Sequence, residues 1–128
     1  MTNFNKTDVL IVDDDKNICE IFKEYCESTK KFNKIITAND GSVATLKLQN
    51  QIFGLIILDM TLPKKNGFEV ILREFTEHNK NKKQNILVIS GTLDPNVVTK
   101  LIQSGVKHFL VKPVDEKTFL DKVNKMVP

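Results

Sequence analysis

The stretch LIVDDDKNI, Leu10–Ile18, makes two opposed demands on the chain. Four apolar residues, Val9–Val12, run without a polar break, which is how a strand reads when both faces of its sheet are covered. Three carboxylates, Asp13, Asp14 and Asp15, then stand side by side. Two like charges about 4 Å apart repel by about 1 kcal/mol in water and by about 4 kcal/mol at the effective dielectric of a protein surface. Something has to compensate them. Immediately afterwards the period changes, and Ile18, Ile21, Phe22, Tyr25 and Cys26 recur at helical spacing.

The same alternation continues along the chain. Leu55–Leu58, Ile86–Ile89 and Phe109–Val111 are continuous apolar runs, and KIITA (Lys34–Ala38) is a weaker one, so five strands are predicted. Helical spacing returns at Phe68, Ile71, Leu72 and Phe75, at Val97, Val98, Leu101 and Ile102, and at Phe119, Leu120, Val123 and Met126. DGSVATLKLQN, Asp40–Asn50, reads as a less regular helix. Pro95 suits the first turn of the helix that follows it, and Gly105 suits a left-handed residue closing that helix. The fold class is therefore α/β, a (βα)5 doubly wound parallel sheet with right-handed crossovers and helices on both faces. Ligands of such sheets sit beyond the carboxyl ends of the strands. Asp13 and Asp14 end the first strand, Asp59 the third, Ser90 the fourth and Lys112 the fifth.

With 128 residues, 41% apolar and 27% charged, the chain has the size and composition of one globular domain, 1–128. No apolar run approaches a membrane span, and MTNFNKTD lacks the apolar stretch of a secretory signal, so a cytoplasmic protein is expected. The net charge of +3 comes from scattered lysines and one cluster, HNKNKKQN (His78–Asn85), read as a solvated loop. It lacks the arginine and aromatic partners of a nucleic-acid surface. Cys19 and Cys26 lie on one predicted helix, about 10 Å apart along its axis, too far for a disulfide. Both are read as core or half-buried thiols, and no Cys/His spacing points to zinc.

Three carboxylates converging on one rim form a hard-oxygen site, and Mg2+ fits it best because it accepts one or two carboxylates, keeps waters and leaves room for a phosphate oxygen. The plainer alternative is that these aspartates cap the following helix, where carboxylates favour the positive end; Asp15 suits that role. Capping does not account for Asp59 at the neighbouring strand end. A carboxylate beside a cation and a lysine can attack phosphorus and form an acyl phosphate. Lys112 and the Ser90 hydroxyl would then hold the equatorial oxygens. A lone serine or lysine at a strand end is ordinary polar edge, and only their joint occurrence carries weight.

The chain resembles the receiver domain of bacterial two-component response regulators, of which the single-domain chemotaxis regulator is one. The matching residues are VDDD (Val12–Asp15), LDMTLPKKNG (Leu58–Gly67), ISGT (Ile89–Thr92) and VKP (Val111–Pro113), and the likeness runs from about residue 8 to 127. It implies a flavodoxin-like sheet of strand order 2-1-3-4-5. Asp59 becomes the phosphoacceptor, with Mg2+ held by Asp13, Asp14, Asp59 and the backbone carbonyl of Thr61. Lys112 pairs with the acceptor or its phosphoryl group and precedes Pro113 through a cis peptide. Ser90 and Phe109 form the switch, although Phe109 reads equally well as a core aromatic. Gly91 leaves the donor access to Asp59, while Thr61 and Thr92 occupy positions that tune phosphate lifetime. The output face is the fourth helix, fifth strand and fifth helix, with Lys100, Gln103, Lys107, His108, Glu116 and Lys117 among its exposed positions.

The implied donor is a histidine kinase, a histidine phosphotransfer protein or a small phosphodonor, since His78 and His108 both read as solvated surface, and the output is a downstream protein target. The implied role is a phosphoacceptor switch that assists its own phosphorylation, not an enzyme. A haloacid dehalogenase phosphatase would want a second aspartate at residue 61, where Thr61 stands. A flavodoxin would want a hydroxyl- and glycine-rich phosphate loop where Asp13–Asp15 stand. A receiver-shaped scaffold independent of phosphorylation is the remaining alternative.

Overall fold

The computed structural model describes residues 6–59, 81–91 and 94–128. Its elements are β1 (Thr7–Val12), α1 (Lys16–Thr29), β2 (Phe32–Ala38), α2 (Gly41–Asn50), β3 (Leu55–Asp59), a 3-10 turn (Lys83–Asn85), β4 (Ile86–Ser90), α3 (Pro95–Ser104), β5 (His108–Val111) and α4 (Glu116–Met126). The helix predicted through Phe68–Phe75, together with Thr61, Pro63, Gly67, His78 and Thr92, lies outside the described residues. The strands form one parallel sheet in the order β2-β1-β3-β4-β5. This is the doubly wound, flavodoxin-like arrangement anticipated from the sequence.

The continuous apolar runs have a direct cause: alternate residues of each inner strand supply opposite cores. Leu10, Val12, Ile56, Leu58, Ile86 and Val88 pack with Ala44 and Leu48 of α2 and Leu101 of α3. Val9, Ile11, Leu55, Ile57, Leu87 and Ile89 pack with Cys19, Phe22 and Cys26 of α1 and with Phe119 and Val123 of α4. Phe22 and Phe119 stack with ring centroids 5.0 Å apart, tying α1 to α4. Burial pushes the Cys19 thiol up to about 11 and that of Cys26 to about 12, so both are inert neutral core groups.

Three details differ from the pattern read off the sequence. The core stripe of α1 is Cys19, Phe22 and Cys26, whereas Ile21 is 41% exposed. Cys19, read as a core or half-buried thiol, is buried, and Ile21 of the predicted stripe is the residue that turns outward. Strand β5, at the edge of the sheet as the order 2-1-3-4-5 requires and paired among the described strands with β4, has half-buried or exposed residues where its apolar run predicted cover on both faces. Asn81, inside the lysine-rich stretch read as solvated, is buried. Its Oδ1 accepts from the Phe53 N–H at 2.7 Å, and its Nδ2 donates to the carbonyls of Leu48 at 3.0 Å and Gln51 at 2.9 Å. One amide thereby closes the end of α2 and the approach to β3.

Each of the four described helices has an aspartate at the N-cap. Asp15, Asp40, Asp94 and Asp115 accept from backbone N–H groups of α1, α2, α3 and α4, respectively. Each follows the carboxyl end of a strand or the loop beyond it, so every described helix directs its N-terminus toward the same rim. Pro95 opens α3, and Gly105, at φ 110°, closes it with N–H bonds back to the Ile102 and Leu101 carbonyls.

Candidate functional site

The register brings the polar strand ends together. Val12 pairs with Leu58 and Asp59 with Ile89, so Asp13, Asp59 and Ser90 emerge at adjacent positions of β1, β3 and β4. Asp13, Asp59 and Ser90 are 1%, 2% and 4% exposed, against the habit of charged groups to stay in water. Lys112, just past β5, puts Nζ 3.4 Å from Asp13 Oδ2 and 3.3 Å from Asp59 Oδ2. Its backbone N–H donates to the Ser90 carbonyl at 2.7 Å, and the peptide to Pro113 is cis.

The three consecutive aspartates divide their work. Asp15 caps α1, its Oδ1 accepting from the N–H groups of Asn17 at 2.8 Å and Ile18 at 3.3 Å. Asp13 turns inward and its Oδ1 accepts the Asp15 N–H at 2.9 Å. Asp14 is exposed, yet carboxylate oxygens of Asp13, Asp14 and Asp59 all lie within 4.8 Å of one another. One lysine cannot balance three such groups. Burial pushes the Asp13 carboxyl up to about 6; the Asp15 N–H pulls it down, Asp59 adds to the rise, and Lys112 only partly offsets it. Burial lowers the Lys112 ammonium, but Asp59 and Asp13 outweigh that and hold it above the ordinary lysine value. Among the described residues the cluster gathers more negative charge on hard oxygen donors than Lys112 balances, which suits a divalent cation of the Mg2+ type.

Ser90 and Phe109 occupy the same face of the sheet, because Val88 pairs with Phe109 and Ser90 with Val111. Phe109 is half-buried against the core that contains Leu58 and Val88. Gly91 is exposed beside Ser90. Of the positions assigned to the output face, Lys100, Gln103, Lys107, Glu116 and Lys117 are exposed, whereas His108 is half-buried, and burial lowers its pKa. Thr61 and Thr92 belong to the undescribed residues.

Two neighbours of the cluster carry no signal in the sequence. The Asp13 carbonyl accepts from Asn39 Nδ2 at 3.0 Å and from Cys19 Sγ at 3.4 Å. Asn39 follows β2 as Asp13 follows β1, and parallel pairing of those strands was the one clue available.

The chain belongs to the response regulator receiver domain family, whose model matches residues 9–124. It is 30% identical over 117 residues to chemotaxis protein CheY of Treponema pallidum, covering 90% of this chain and 78% of that protein. The solved chemotaxis response regulator CheY4 of Vibrio cholerae superposes with a TM-score of 0.79 at 26% identity, covering 94% of this chain and 98% of that one. The receiver domain of sensor histidine kinase PA1611 from Pseudomonas aeruginosa, solved with a magnesium ion in its active site cleft, shares the fold (TM-score 0.77, 16% identity, 95% and 98% covered). Several curated relatives are longer. The probable C4-dicarboxylate response regulator DctR of Bacillus subtilis is 26% identical over 106 residues, which make up 82% of this chain and 45% of that protein. No helix among the described residues is long and apolar enough to cross a membrane.

Proposed function

We propose that this receiver domain works as a phosphoacceptor switch in which Asp59 takes a phosphoryl group from a phosphohistidine donor. The observation that carries the reading is the buried Asp59 carboxylate, sharing Lys112 with Asp13 and clustered with Asp13 and Asp14. Asp13, Asp14 and Asp59, with the Thr61 carbonyl, would hold Mg2+, which when bound supplies charge neutralisation for the phosphoryl oxygens. An Asp59 carboxylate oxygen forms the new O–P bond as the N–P bond of the donor histidine breaks, and the leaving imidazole takes its proton from solvent. Lys112 exchanges part of its ion pairing for a phosphoryl oxygen, and the Ser90 hydroxyl donates to another.

Ser90 would move toward the phosphoryl group, and Phe109, on the same sheet face, would turn into the space released. A two-state rearrangement of this kind is biased by contacts that only the phosphorylated state makes. The readout face is α3, β5 and α4, presented to a downstream protein, and the donor is a histidine kinase or a histidine phosphotransfer protein. In this reading residues 1–128 act as one receiver unit in the cytoplasm, assisting their own phosphorylation and dephosphorylation and turning over no separate substrate.

Intact-mass measurement after incubation with a small phosphodonor tests the reading. A single Mg2+-dependent phosphoryl adduct in wild type, absent from Asp59→Asn, is expected. A folded wild-type protein that takes up no phosphoryl group with or without Mg2+ would rule the mechanism out.

A further inference from the structure

Asp14 is the exposed member of the acidic cluster, and among the described residues no side chain bonds or pairs with its carboxylate. Its place is set by the backbone that leads to it. That backbone is anchored at one peptide. The Asp13 N–H donates to the Ala38 carbonyl at 3.1 Å, and the Asp13 carbonyl accepts from Asn39 Nδ2 at 3.0 Å and Cys19 Sγ at 3.4 Å. A peptide unit is planar, so fixing the Asp13 oxygen also fixes the direction of the Asp14 N–H and the position of the Asp14 Cα. The thiol is a weak donor, which leaves the Asn39 amide as the stronger of the two restraints.

We propose that Asn39 is a positioning residue for the acidic pair, holding the Asp13–Asp14 peptide so that Asp14 stands beside Asp13 and Asp59, and thereby setting Mg2+ affinity. This rests on the reading of the cluster as a Mg2+ site. Asn39 bonds to neither carboxylate, and its influence passes through the main chain from the end of β2 to the end of β1. Once the cation is bound, it organises the carboxylates itself, so phosphoryl uptake at saturating Mg2+ depends little on Asn39.

Calorimetric titration of Mg2+ into the phosphate-free protein reads the effect without any phosphoryl chemistry. Asn39→Ala is expected to weaken binding about 3- to 10-fold, the range that one net hydrogen bond commands. Asn39→Gln, which keeps the amide on a longer arm, recovers part of that loss. Asn33→Ala removes an exposed amide, whose Nδ2 donates to Asp8 at 3.2 Å at the other end of β2, and leaves Mg2+ affinity unchanged. Phosphoryl uptake by Asn39→Ala at saturating Mg2+ stays within about 2-fold of wild type, less than one net hydrogen bond would command. An Asn39→Ala protein that binds Mg2+ as tightly as wild type, even with a lowered melting temperature, overturns the proposal. Should the alanine variant not fold, Asn39→Ser takes its place with the same two outcomes. Wild type that binds no Mg2+ overturns the metal reading as well, whereas wild type that binds Mg2+ but takes up no phosphoryl group overturns only the phosphoacceptor reading.

Discussion

Strand β1 carries an aspartate near each end, and the two live in opposite circumstances. Asp8, at the base of the sheet, is half-buried and both oxygens of its carboxylate accept from neutral donors. Oδ1 accepts from Asn33 Nδ2 at 3.2 Å and the Lys34 N–H at 3.1 Å, and Oδ2 accepts from Gln51 Nε2 at 2.8 Å. Asp13, at the rim, is almost completely buried, accepts one N–H and faces a second carboxylate across a shared lysine. The base uses its polar groups to close the structure, as Asn81 does for α2 and β3. The rim leaves charge that the described protein does not neutralise, which is the mark of a site that waits for a ligand.

The strongest way to break the comparison is at the base. Asn81→Ala would leave the Phe53 N–H and the Leu48 and Gln51 carbonyls without their buried partner. The expected loss is about 4 kcal/mol in a urea denaturation curve, with phosphoryl uptake by the folded fraction unchanged. At the rim the sign reverses. The Asp13 carboxyl is raised from 3.8 to about 6, so the native state binds that proton more tightly than the unfolded chain does. The stability so gained is complete below pH 4 and disappears as pH rises through about 6. In metal-free buffer the protein at pH 7 should give up about 3 kcal/mol at most on this account, and less where water reaches the cluster from the Asp14 side. Denaturation of wild type and Asp13→Asn between pH 4.5 and 7.5 with a chelator checks it: the variant should be the more stable at pH 7, and the gap should close toward pH 4.5. Added Mg2+ should raise the stability of wild type alone, by mass action.

Smaller effects lie outside both regions. Asp40→Ala removes the acceptor for the Val43 N–H at 2.8 Å and should cost about 1 kcal/mol by denaturant titration. Lys117→Ala breaks a pair of exposed side chains 3.8 Å apart on α4 and should change stability by less than about 0.5 kcal/mol in the same assay. A large loss there would mean that the α4 surface is more tightly organised than its exposure implies.

The inner strands were legible in the sequence because β1, β3 and β4 are covered on both faces, and such strands have to be apolar at every position. The outer strands were less so. β2 begins at Phe32, ahead of the weak run that marked it, and β5 is only partly buried, because among the described strands each pairs on one edge only. On α1 the sequence points to Ile21 as an inward residue, since hydrophobicity ranks isoleucine above a thiol, yet Ile21 is exposed and Cys19 faces inward. Asn81 was hidden among lysines, because composition cannot tell a solvated amide from one that closes three backbone groups.

The acidic rim was legible for a different reason. Charge set directly after an apolar strand has nowhere to go except the strand's end, whatever the rest of the chain does. Asn39 had no such signature. Its partner is a main-chain oxygen from another strand, and any residue presents a carbonyl.

The reach of Lys112 has a mechanical side. β3 and β4 separate β5 from β1, a span of about 14 Å at ordinary strand spacing. The Lys112 side chain and the Asp13 carboxylate reach toward each other above that gap and meet in an ion pair, joining an edge strand to a strand with which it shares no ladder. β5 is therefore held to the sheet twice, once through backbone pairing with β4 and once through charge. The first attachment is indifferent to what happens at Asp59. The second changes tension whenever the charge there changes, and it pulls on the part of the sheet farthest from β2.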